Sequence, residues 1–372
     1  MIQEIYFFDK DLNSVATIDL FENLEWNENY NKADTFKLDI EYEQVTDNNN
    51  LRYEYYKNIF EILENYRLTK NPVYVTLDNK DDLRVCKIDR YEIDETKNTI
   101  TITGSGVFEI FTHKQDRNME FIPSEADDNI GYIACDILNY HINADDVLKN
   151  IIVADKTKNK IGSEIYYITE SGDSVFDSIK KLLDFEDIGF KTILDYSAKK
   201  INVIFYKGQQ IPSLSVSVDD ENLTGNSFEF DIGSYKNYAT ISGTFGEEEK
   251  LVVELVDLTD GNLRYDMNIE SNKKSGSMTE SQYRQALIAE AKMELKKSIA
   301  QESYDIDISD GVALDIGEVV VVKVNVGFKE LAKEVMARGI KYKYTSKEYK
   351  RTVSFGEAEN LKTDLQFILG VK

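Results

Sequence analysis

Histidine and cysteine, the side chains that most often carry nucleophilic and metal chemistry, are scarce in this sequence. The 372 residues contain two of each. His113 and His141 have no Cys or His neighbour at a metal-ligand spacing, and no Gly-x-Ser-x-Gly segment offers a nucleophile for a histidine-based triad. Cys86 and Cys135 form no spaced motif, so we expect no disulfide framework. The sequence therefore predicts no catalytic residue, no cofactor site and no metal site.

A short glycine segment resembles a phosphate-binding loop in part. Gly104-Ser105-Gly106 follows a strand-like run, but the third glycine and the Lys-Ser/Thr ending of such loops are missing. A glycine pair at the end of a strand is the favoured interpretation.

An acidic segment carries the residue types of a calcium loop. Asp305, Asp307, Ser309 and Asp310 supply oxygen atoms, but the glycine comes one place late at Gly311, and Ile316 stands where an EF-hand has Glu. Because these residues alternate with apolar ones, the pattern predicts the polar face of a strand instead.

Carboxylates are too numerous to identify an active site. With 68 acidic residues, a glycosidase-like pair can always be chosen, but any selected pair is uninformative.

One segment of this acidic chain is basic. From Arg338 to Arg351, six basic residues accompany a single acid, Glu348. The favoured interpretation is a hairpin with a solvated basic face. The alternative is a contact for an acidic neighbour, such as another copy of the chain.

The formal net charge is −24. Binding to phosphates depends on clustered Lys and Arg, so sequence-specific DNA recognition is not expected. The favoured explanation for this acidity is solubility. The alternative is that the chain lines a channel, whose acidic walls let a polyanion pass without binding. No run approaches eighteen apolar residues, and the opening residues do not form a signal peptide, so we expect no membrane insertion.

Hydrophobic periodicity divides the chain into β-rich and mixed parts. Alternation such as Phe36-Leu38-Ile40-Tyr42 predicts strands in the first hundred residues, with one helix around 51–63. Two helices follow, one after Asp127 and Asp128 as possible N-caps and one after Ser174, and then a strand pair near 190–206. Strands then return, interrupted by a long helix that a Thr279–Gln282 capping box introduces.

We therefore predict an α+β, β-rich fold with two small β-barrel-like domains, an α+β middle domain and one long inserted helix. The predicted domains are an N-terminal barrel-like domain (1–110), the middle domain (111–210), a second barrel-like domain with its inserted helix at 279–302 (211–345), and a closing strand with a short C-terminal helix (346–372).

Four segments, in order, resemble the tail-tip hub proteins of phages and prophages of Gram-positive bacteria. They are YFFDKDLNSVATIDLFENLEWNENYNKADTFKLDI near the start, SGDSVFDSIKKLLDFEDIGFKTILD with INVIFYKGQQ, LTGNSFEFDIGSYKNYATISG, and YDIDISDGVALDIGEVVVVKV with MARGIKYKYTSKEYKRTVSFGEAE. Two features depart from the family pattern. Glu318 replaces the usual Asp after Gly317, and GFKELAKEV from Gly327 makes a longer, more charged connection.

The resemblance implies a non-enzymatic hub subunit of a virion tail tip, assembled in the cytoplasm of the bacterial host. It implies a homotrimer whose barrel domains alternate in a pseudo-sixfold ring around the DNA channel. The expected partners are the distal tail protein, the tape measure protein and other tail-tip subunits, with DNA passing but not bound specifically. The chain ends at Lys372, so we expect the enzymatic or receptor-binding extensions of many relatives to belong to other subunits.

Two other functions remain open at this stage. The first is a tail-associated enzyme that degrades the cell wall, which would have to rely on carboxylates. The second is a protein that binds host-surface carbohydrate, although Trp26 is the only Trp.

Overall fold

The computed structural model describes residues 4–42, 51–78, 83–117, 119–122, 129–170, 172–217, 223–246, 250–298, 301–308, 312–326, 329–345 and 348–357. Within them the α-helices are α1 (Leu51–Thr69), α2 (Ile130–Asn143), α3 (Leu148–Ile151), α4 (Val175–Phe185) and α5 (Glu280–Lys297). Short 3-10 helices span Val107–His113 and Lys156–Lys158.

The strands of the described residues, in chain order, are β1 (Glu4–Phe8), β2 (Ser14–Ile18), β3 (Asn23–Asn29), β4 (Thr35–Glu41), β5 (Tyr74–Asp78), β6 (Val85–Asp94), β7 (Thr99–Gly106), β8 (Glu120–Phe121), β9 (Ile152–Val153), β10 (Tyr167–Ile168), β11 (Gly189–Asp195), β12 (Lys200–Tyr206), β13 (Gln209–Val216), β14 (Leu223–Asp231), β15 (Tyr238–Phe245), β16 (Lys250–Asp257), β17 (Asp266–Glu270), β18 (Gln301–Ile308), β19 (Glu318–Val326), β20 (Lys329–Thr345) and β21 (Tyr349–Glu357).

A single 13-stranded sheet runs through both β-rich parts of the chain. Its main order is β14-β18-β21-β20-β3-β4-β7-β6-β5-β1-β2, with β19 beside β20 and β13 beside β19. The long strand β20 makes the connection. Its first half pairs with β19, from Lys329 to Met336, and its second half pairs with β3, from Gly339 to Thr345. The pairings among the described residues leave β14, β2 and β13 each with one partner only, so these strands do not close a barrel.

Three smaller sheets complete the described fold. One contains β11, β12 and β9, a second pairs β8 with β10, and the third has the order β16-β15-β17. Helix α5 lies on one face of this third sheet, which we call the insert sheet. The predicted α+β, β-rich class is confirmed.

Apolar side chains form three core clusters. The first joins inward residues of the early strands, such as Leu38 and Ile102, to residues of the late strands, such as Ile340 and Phe355. The second lies around α2, α4 and β11, and the third lies between α5 and the insert sheet. The division of the chain at 110, 210 and 345 stays a prediction.

The predicted N-terminal caps of two helices are confirmed. The Ser174 side chain accepts a hydrogen bond from the backbone N–H of Asp177 at the start of α4. At α5, the Thr279 side chain accepts from Gln282 N while the Gln282 side chain accepts from Thr279 N, so the capping box is complete.

Two details differ from the predictions. The long helix ends at Lys297 rather than 302, because alternating residues from Gln301 onward favour a strand. Asn129 caps α2 by accepting from Tyr132 N. The predicted caps Asp127 and Asp128 lie outside the described residues.

The segment expected to form a charged connection after residue 327 is mostly strand in its described part. Residues 329–336 pair antiparallel with β19, so most of the connection extends the sheet. Glu318, the departure from the family pattern, accepts the Asp315 N–H at 2.6 Å and so fixes the turn before β19. Ser309, Asp310, Gly311, Lys347 and the predicted C-terminal helix lie outside the described residues.

Candidate functional site

The two histidines lie in different surroundings. His113 is exposed at the end of the first 3-10 helix. His141 is buried in the last turn of α2, where its Nε2 lies 3.5 Å from Asp116 Oδ1. In the part of the chain that the structure describes, no group of three or more His, Cys, Asp or Glu is arranged to hold a metal ion.

The two cysteines are buried free thiols on different elements, Cys86 on β6 and Cys135 on α2. Burial raises the pKa of both thiols, that of Cys135 to about 12. Both are therefore protonated at neutral pH and act as small apolar core residues.

The Gly104–Gly106 segment is part of strand packing. Gly104 lies on β7 opposite Phe36, and a Cβ atom at Gly104 would lie 2.0 Å from the Lys87 carbonyl oxygen. Gly106 donates its N–H to the Asp34 carbonyl at 2.7 Å. The close approach of neighbouring backbones explains these glycines without a phosphate.

The acidic segment with Asp305 and Asp307 lies in β18. This strand pairs with β14 on one side and β21 on the other. An EF-hand loop requires a turn between two helices, so this geometry does not fit it.

Much of the basic segment interacts within the chain. Lys341 Nζ lies 2.7 Å from Glu25 Oε2 on the neighbouring strand. The Arg351 guanidinium donates to the Val312 carbonyl at 2.7 Å. Arg338 forms a salt bridge with the middle region, described next.

A set of polar contacts lies at a point where three parts of the chain meet, which we call the junction. Its centre is Tyr30, which directly follows β3 and is fully buried. The Tyr30 hydroxyl donates to the Asp187 carbonyl at 2.8 Å and accepts from Gly208 N at 3.0 Å. Its backbone N–H donates to the Arg338 carbonyl, and its carbonyl accepts from Phe190 N, both at 2.9 Å. One residue thereby connects the early strands, the middle region and the late strands.

A salt bridge between Arg338 and Asp187 lies beside the Tyr30 ring and also joins the late strands to the middle region. Both Arg338 guanidinium nitrogens donate to the two Asp187 carboxylate oxygens, and the guanidinium carbon lies 5.2 Å from the centre of the Tyr30 ring. Asp187 has a φ of +54° just after α4, a conformation that Asp tolerates better than most residues. The bidentate geometry fixes the orientation of β20 relative to α4.

Two glycines make room for the Tyr30 ring. A Cβ atom on Gly189 would lie 2.5 Å from this ring, and one on Gly317 would lie 2.8 Å from it. Gly317 also has a φ of +86°. The junction therefore depends on glycine at both positions.

A buried ion cluster lies nearby. Arg84, Asp34 and Glu28 are each no more than 7% exposed. Arg84 Nη1 lies 3.1 Å from Asp34 Oδ1, and its Nε lies 3.8 Å from Glu28 Oε2. Burial raises the pKa of the Asp34 carboxyl, and the Arg84 charge opposes that shift only in part. The residue pair Arg84–Ile193 bridges the early strands to β11, so the cluster also crosses between regions.

Sequence reasoning did not single out Tyr30, Arg84 or Asp187. For Arg84 a signal existed, because it and Lys87 are the two charged residues inside the otherwise apolar run from Leu83 to Ile88. Tyr30 and Asp187 lie in polar segments that resemble ordinary turns, and their partners are more than 150 residues away.

Comparisons with known proteins show which known structures share this architecture. The fold is that of phage and prophage tail proteins. It is similar to the structure of a tail protein from Neisseria meningitidis MC58, with a TM-score of 0.56, 12% identity, and coverage of 96% of this chain and 97% of that one. It is also similar to the 43 kDa tail protein of prophage MuSo2 from Shewanella oneidensis, with a TM-score of 0.54, 12% identity, and coverage of 95% and 98%.

The particular family follows from the sequence match. The model of the Siphovirus ReqiPepy6 Gp37-like protein family matches residues 4–357, and the chain belongs to this family. No curated protein shows a significant match. The chain is thus a structural protein of phage tail type, as the resemblance predicted. In the described residues no helix is long and apolar enough to cross a membrane.

Proposed function

We propose that this chain is a structural hub subunit of a phage-type tail tip, without enzymatic activity. Three copies form a ring around the DNA channel. The ring joins the distal tail protein and the tape measure protein to the rest of the tip. The subunit is assembled in the host cytoplasm, does not insert into a membrane, and becomes part of the virion.

Open strand edges at the ends of the continuous sheet carry this proposal. Strands β2 and β14 each have one unpaired side within the described sheet. An open strand edge presents a row of backbone donors and acceptors that favours pairing with another chain. Because β2 and β14 belong to different parts of the chain, pairing of β2 in one copy with β14 in the next is head-to-tail, the geometry that generates rings.

The contacts at the junction suit a subunit that transmits force between its neighbours. A ring subunit must keep its parts in a fixed orientation while neighbours pull on its edges. Tyr30, Arg338 and Asp187 provide this by directional hydrogen bonds between all three parts of the chain. The acidity of the chain also suits a subunit that surrounds a DNA channel, since a net charge of −24 repels passing DNA.

The solution mass of the purified chain tests the proposal. We expect a species of three times the 42.8 kDa chain mass, either alone or after addition of the distal tail protein. Val15 on β2 is 41% exposed, and Val15→Lys should lower the trimer fraction by placing a charge at an open edge. Leu68→Lys, at an exposed site on α1, is the matched control and should leave the trimer intact.

A chain that stays monomeric under both conditions would contradict the ring. The non-enzymatic part has its own test. The purified protein should produce no clearing in a gel containing cell-wall material, and reproducible clearing would overturn that part.

A further inference from the structure

The outer face of the insert sheet carries a row of exposed apolar side chains. Helix α5 covers the other face, where Val252 and Val256 of β16 are buried. The alternate residues Leu251, Val253 and Leu255 therefore point away from α5, and they are 65%, 47% and 60% exposed. We call these three residues the apolar row. A contiguous exposed surface of large apolar side chains is typical of an interaction site.

The neighbouring strand β15 adds no charge beside the apolar row. Its residues Thr244, Ser242 and Thr240 pair with the three residues of the row, and paired residues project from the same face of a sheet. Hydroxyl and methyl groups therefore flank the row on this side. Because each copy of the chain carries a net charge of −24, two copies repel each other over most of their surface. An uncharged face is where they can approach each other at the lowest electrostatic cost.

The loop from β16 to β17 extends this surface toward the end of β14. It comprises residues 258–265, and its Leu258, Leu263 and Tyr265 are 43%, 71% and 38% exposed. The Tyr265 ring packs edge-on against the Tyr235 ring, with 5.3 Å between their centres. Ile232, which directly follows β14, is 52% exposed. Exposed apolar side chains thus continue from the apolar row to the end of β14.

Asn237 holds this loop in one conformation. Its side chain is buried, accepts from Tyr265 N at 2.8 Å and donates to the Leu263 carbonyl at 2.9 Å. Its backbone carbonyl accepts from Leu258 N at 2.9 Å. A fixed backbone therefore presents the exposed side chains of the loop, which lowers the conformational entropy that is lost when a partner binds.

We propose that the apolar row and the loop 258–265 bind residues 14–20 of a neighbouring copy, the segment that contains β2. This inference rests on the proposed ring, in which the free edge of β2 pairs with β14 of the next copy. The segment suits the surface chemically, because Val15 and Leu20 are 41% and 51% exposed and Asp19 is its single charged residue. Two surfaces with few charges and large apolar side chains would then bury each other, as in the centre of a protein interface.

The short connection between β14 and the insert sheet brings the two surfaces together. Residues 232–237 separate the end of β14 from the start of β15, and the Tyr235 N–H donates to the Ile232 carbonyl within this connection. A strand that pairs with the last residues of β14 therefore ends close to the loop 258–265. If β2 runs parallel to β14, Leu20 lies at this end. If β2 runs antiparallel, Val15 lies there, so an exposed apolar residue meets the loop in either direction.

The solution mass of two variants provides the main test. Leu263→Asp and Leu255→Asp place a charge in the proposed contact and outside the core of a single copy, so both should keep the circular dichroism spectrum and melting temperature of the wild type. Their trimers should dissociate at a concentration at least about tenfold higher than the wild-type trimer. Leu68→Asp, at a site 67% exposed on α1, is the matched control and should leave the trimer intact.

The possible results separate this inference from the ring itself. A trimer that Val15→Lys weakens, but that neither Leu263→Asp nor Leu255→Asp weakens, overturns the docking surface and leaves the ring in place. An equal effect of Leu68→Asp also overturns the docking surface, because added charge alone would then explain the loss. A chain that stays monomeric, alone and with the distal tail protein, overturns both the ring and this inference.

Disulfide formation between mixed variants identifies what covers the surface. Leu263→Cys chains are mixed with Leu20→Cys or Val15→Cys chains, assembled and oxidised, while the native thiols stay buried. At least one mixture should give a crosslink at twice the chain mass that neither variant gives alone, and a mixture with Leu68→Cys should give none. A crosslink between two Leu263→Cys chains would mean that the surface pairs with itself. That result overturns the proposal, as does the absence of any crosslink.

The distal tail protein is the competing occupant of this surface. If the Leu263→Cys thiol loses its reactivity toward a thiol reagent only when that protein is added, and no crosslink between copies forms, the surface binds the distal tail protein and the proposal fails. Loss of reactivity on trimer formation alone supports the neighbouring copy.

Discussion

Replacing Tyr30 by Phe should weaken the fold through the loss of a single oxygen atom. The ring stays in place, so packing against the two glycines is unchanged. The hydroxyl, however, donates to the Asp187 carbonyl and accepts from Gly208 N, and both contacts are lost. Each hydrogen bond contributes about 1 kcal/mol net, and a buried group left without its partner costs about 1–3 kcal/mol. We expect the free energy of unfolding to fall by about 2–4 kcal/mol.

Tyr74 provides the matched control. Its side chain is also fully buried, but its hydroxyl has no hydrogen-bond partner among the described residues. Tyr74→Phe removes a desolvated oxygen with no bond to lose, so its stability should equal or exceed that of the wild type. Urea unfolding followed by fluorescence and circular dichroism would compare the three proteins. An equal effect of the two substitutions would refute the role assigned to the Tyr30 hydroxyl.

The pH dependence gives an independent check on the same group. Burial, followed by the nearby Asp187 charge, raises the pKa of Tyr30 from 10 to about 12. Because the folded pKa is above the unfolded one, the neutral hydroxyl stabilises the fold below pH 10, and this contribution is lost as the pH rises toward 12. The stability difference between the wild type and Tyr30→Phe should therefore shrink over this interval. A constant difference in urea titrations from pH 9 to 12 would contradict the assignment.

Three further substitutions test the surrounding structure. Arg84→Met leaves two buried carboxylates without their cation and should cost about 3–5 kcal/mol in chemical unfolding, whereas Arg90→Met, in an exposed pair, should change little. Gly317→Ala adds both left-handed backbone strain and a clash with the junction tyrosine, so its melting temperature should fall further than that of Gly246→Ala, which has a φ of +72° but open space around it. Thr279→Ala should cost about 1 kcal/mol and raise hydrogen exchange in the first turn of α5; unchanged exchange there would count against the capping box.

Local chemistry explains which elements the sequence predicted well. Helix α4 begins after Ser174 and α5 after Thr279, because a side-chain oxygen placed one residue before a helix satisfies a free backbone N–H whatever surrounds it. Strands such as β4 and β12 follow their alternation, since one face of each is buried. The predicted end of α5 was less accurate than its start. Helix propensity continues past Lys297, but sheet partners stabilise the strand that follows.

The sequence by itself determined the class of fold, the N-caps of α4 and α5, and a net charge of −24. The ordered family segments also pointed to a phage tail protein, and the match over residues 4–357 confirmed the family. Only the tertiary structure decided that β20 joins the early and late strands into one sheet, and that Tyr30 contacts Asp187 and Arg338. Such contacts join residues more than 150 positions apart, so no local pattern of residue types encodes them. The physical reason is that a strand edge or a hydroxyl can accept many partners, and the packed core selects one of them.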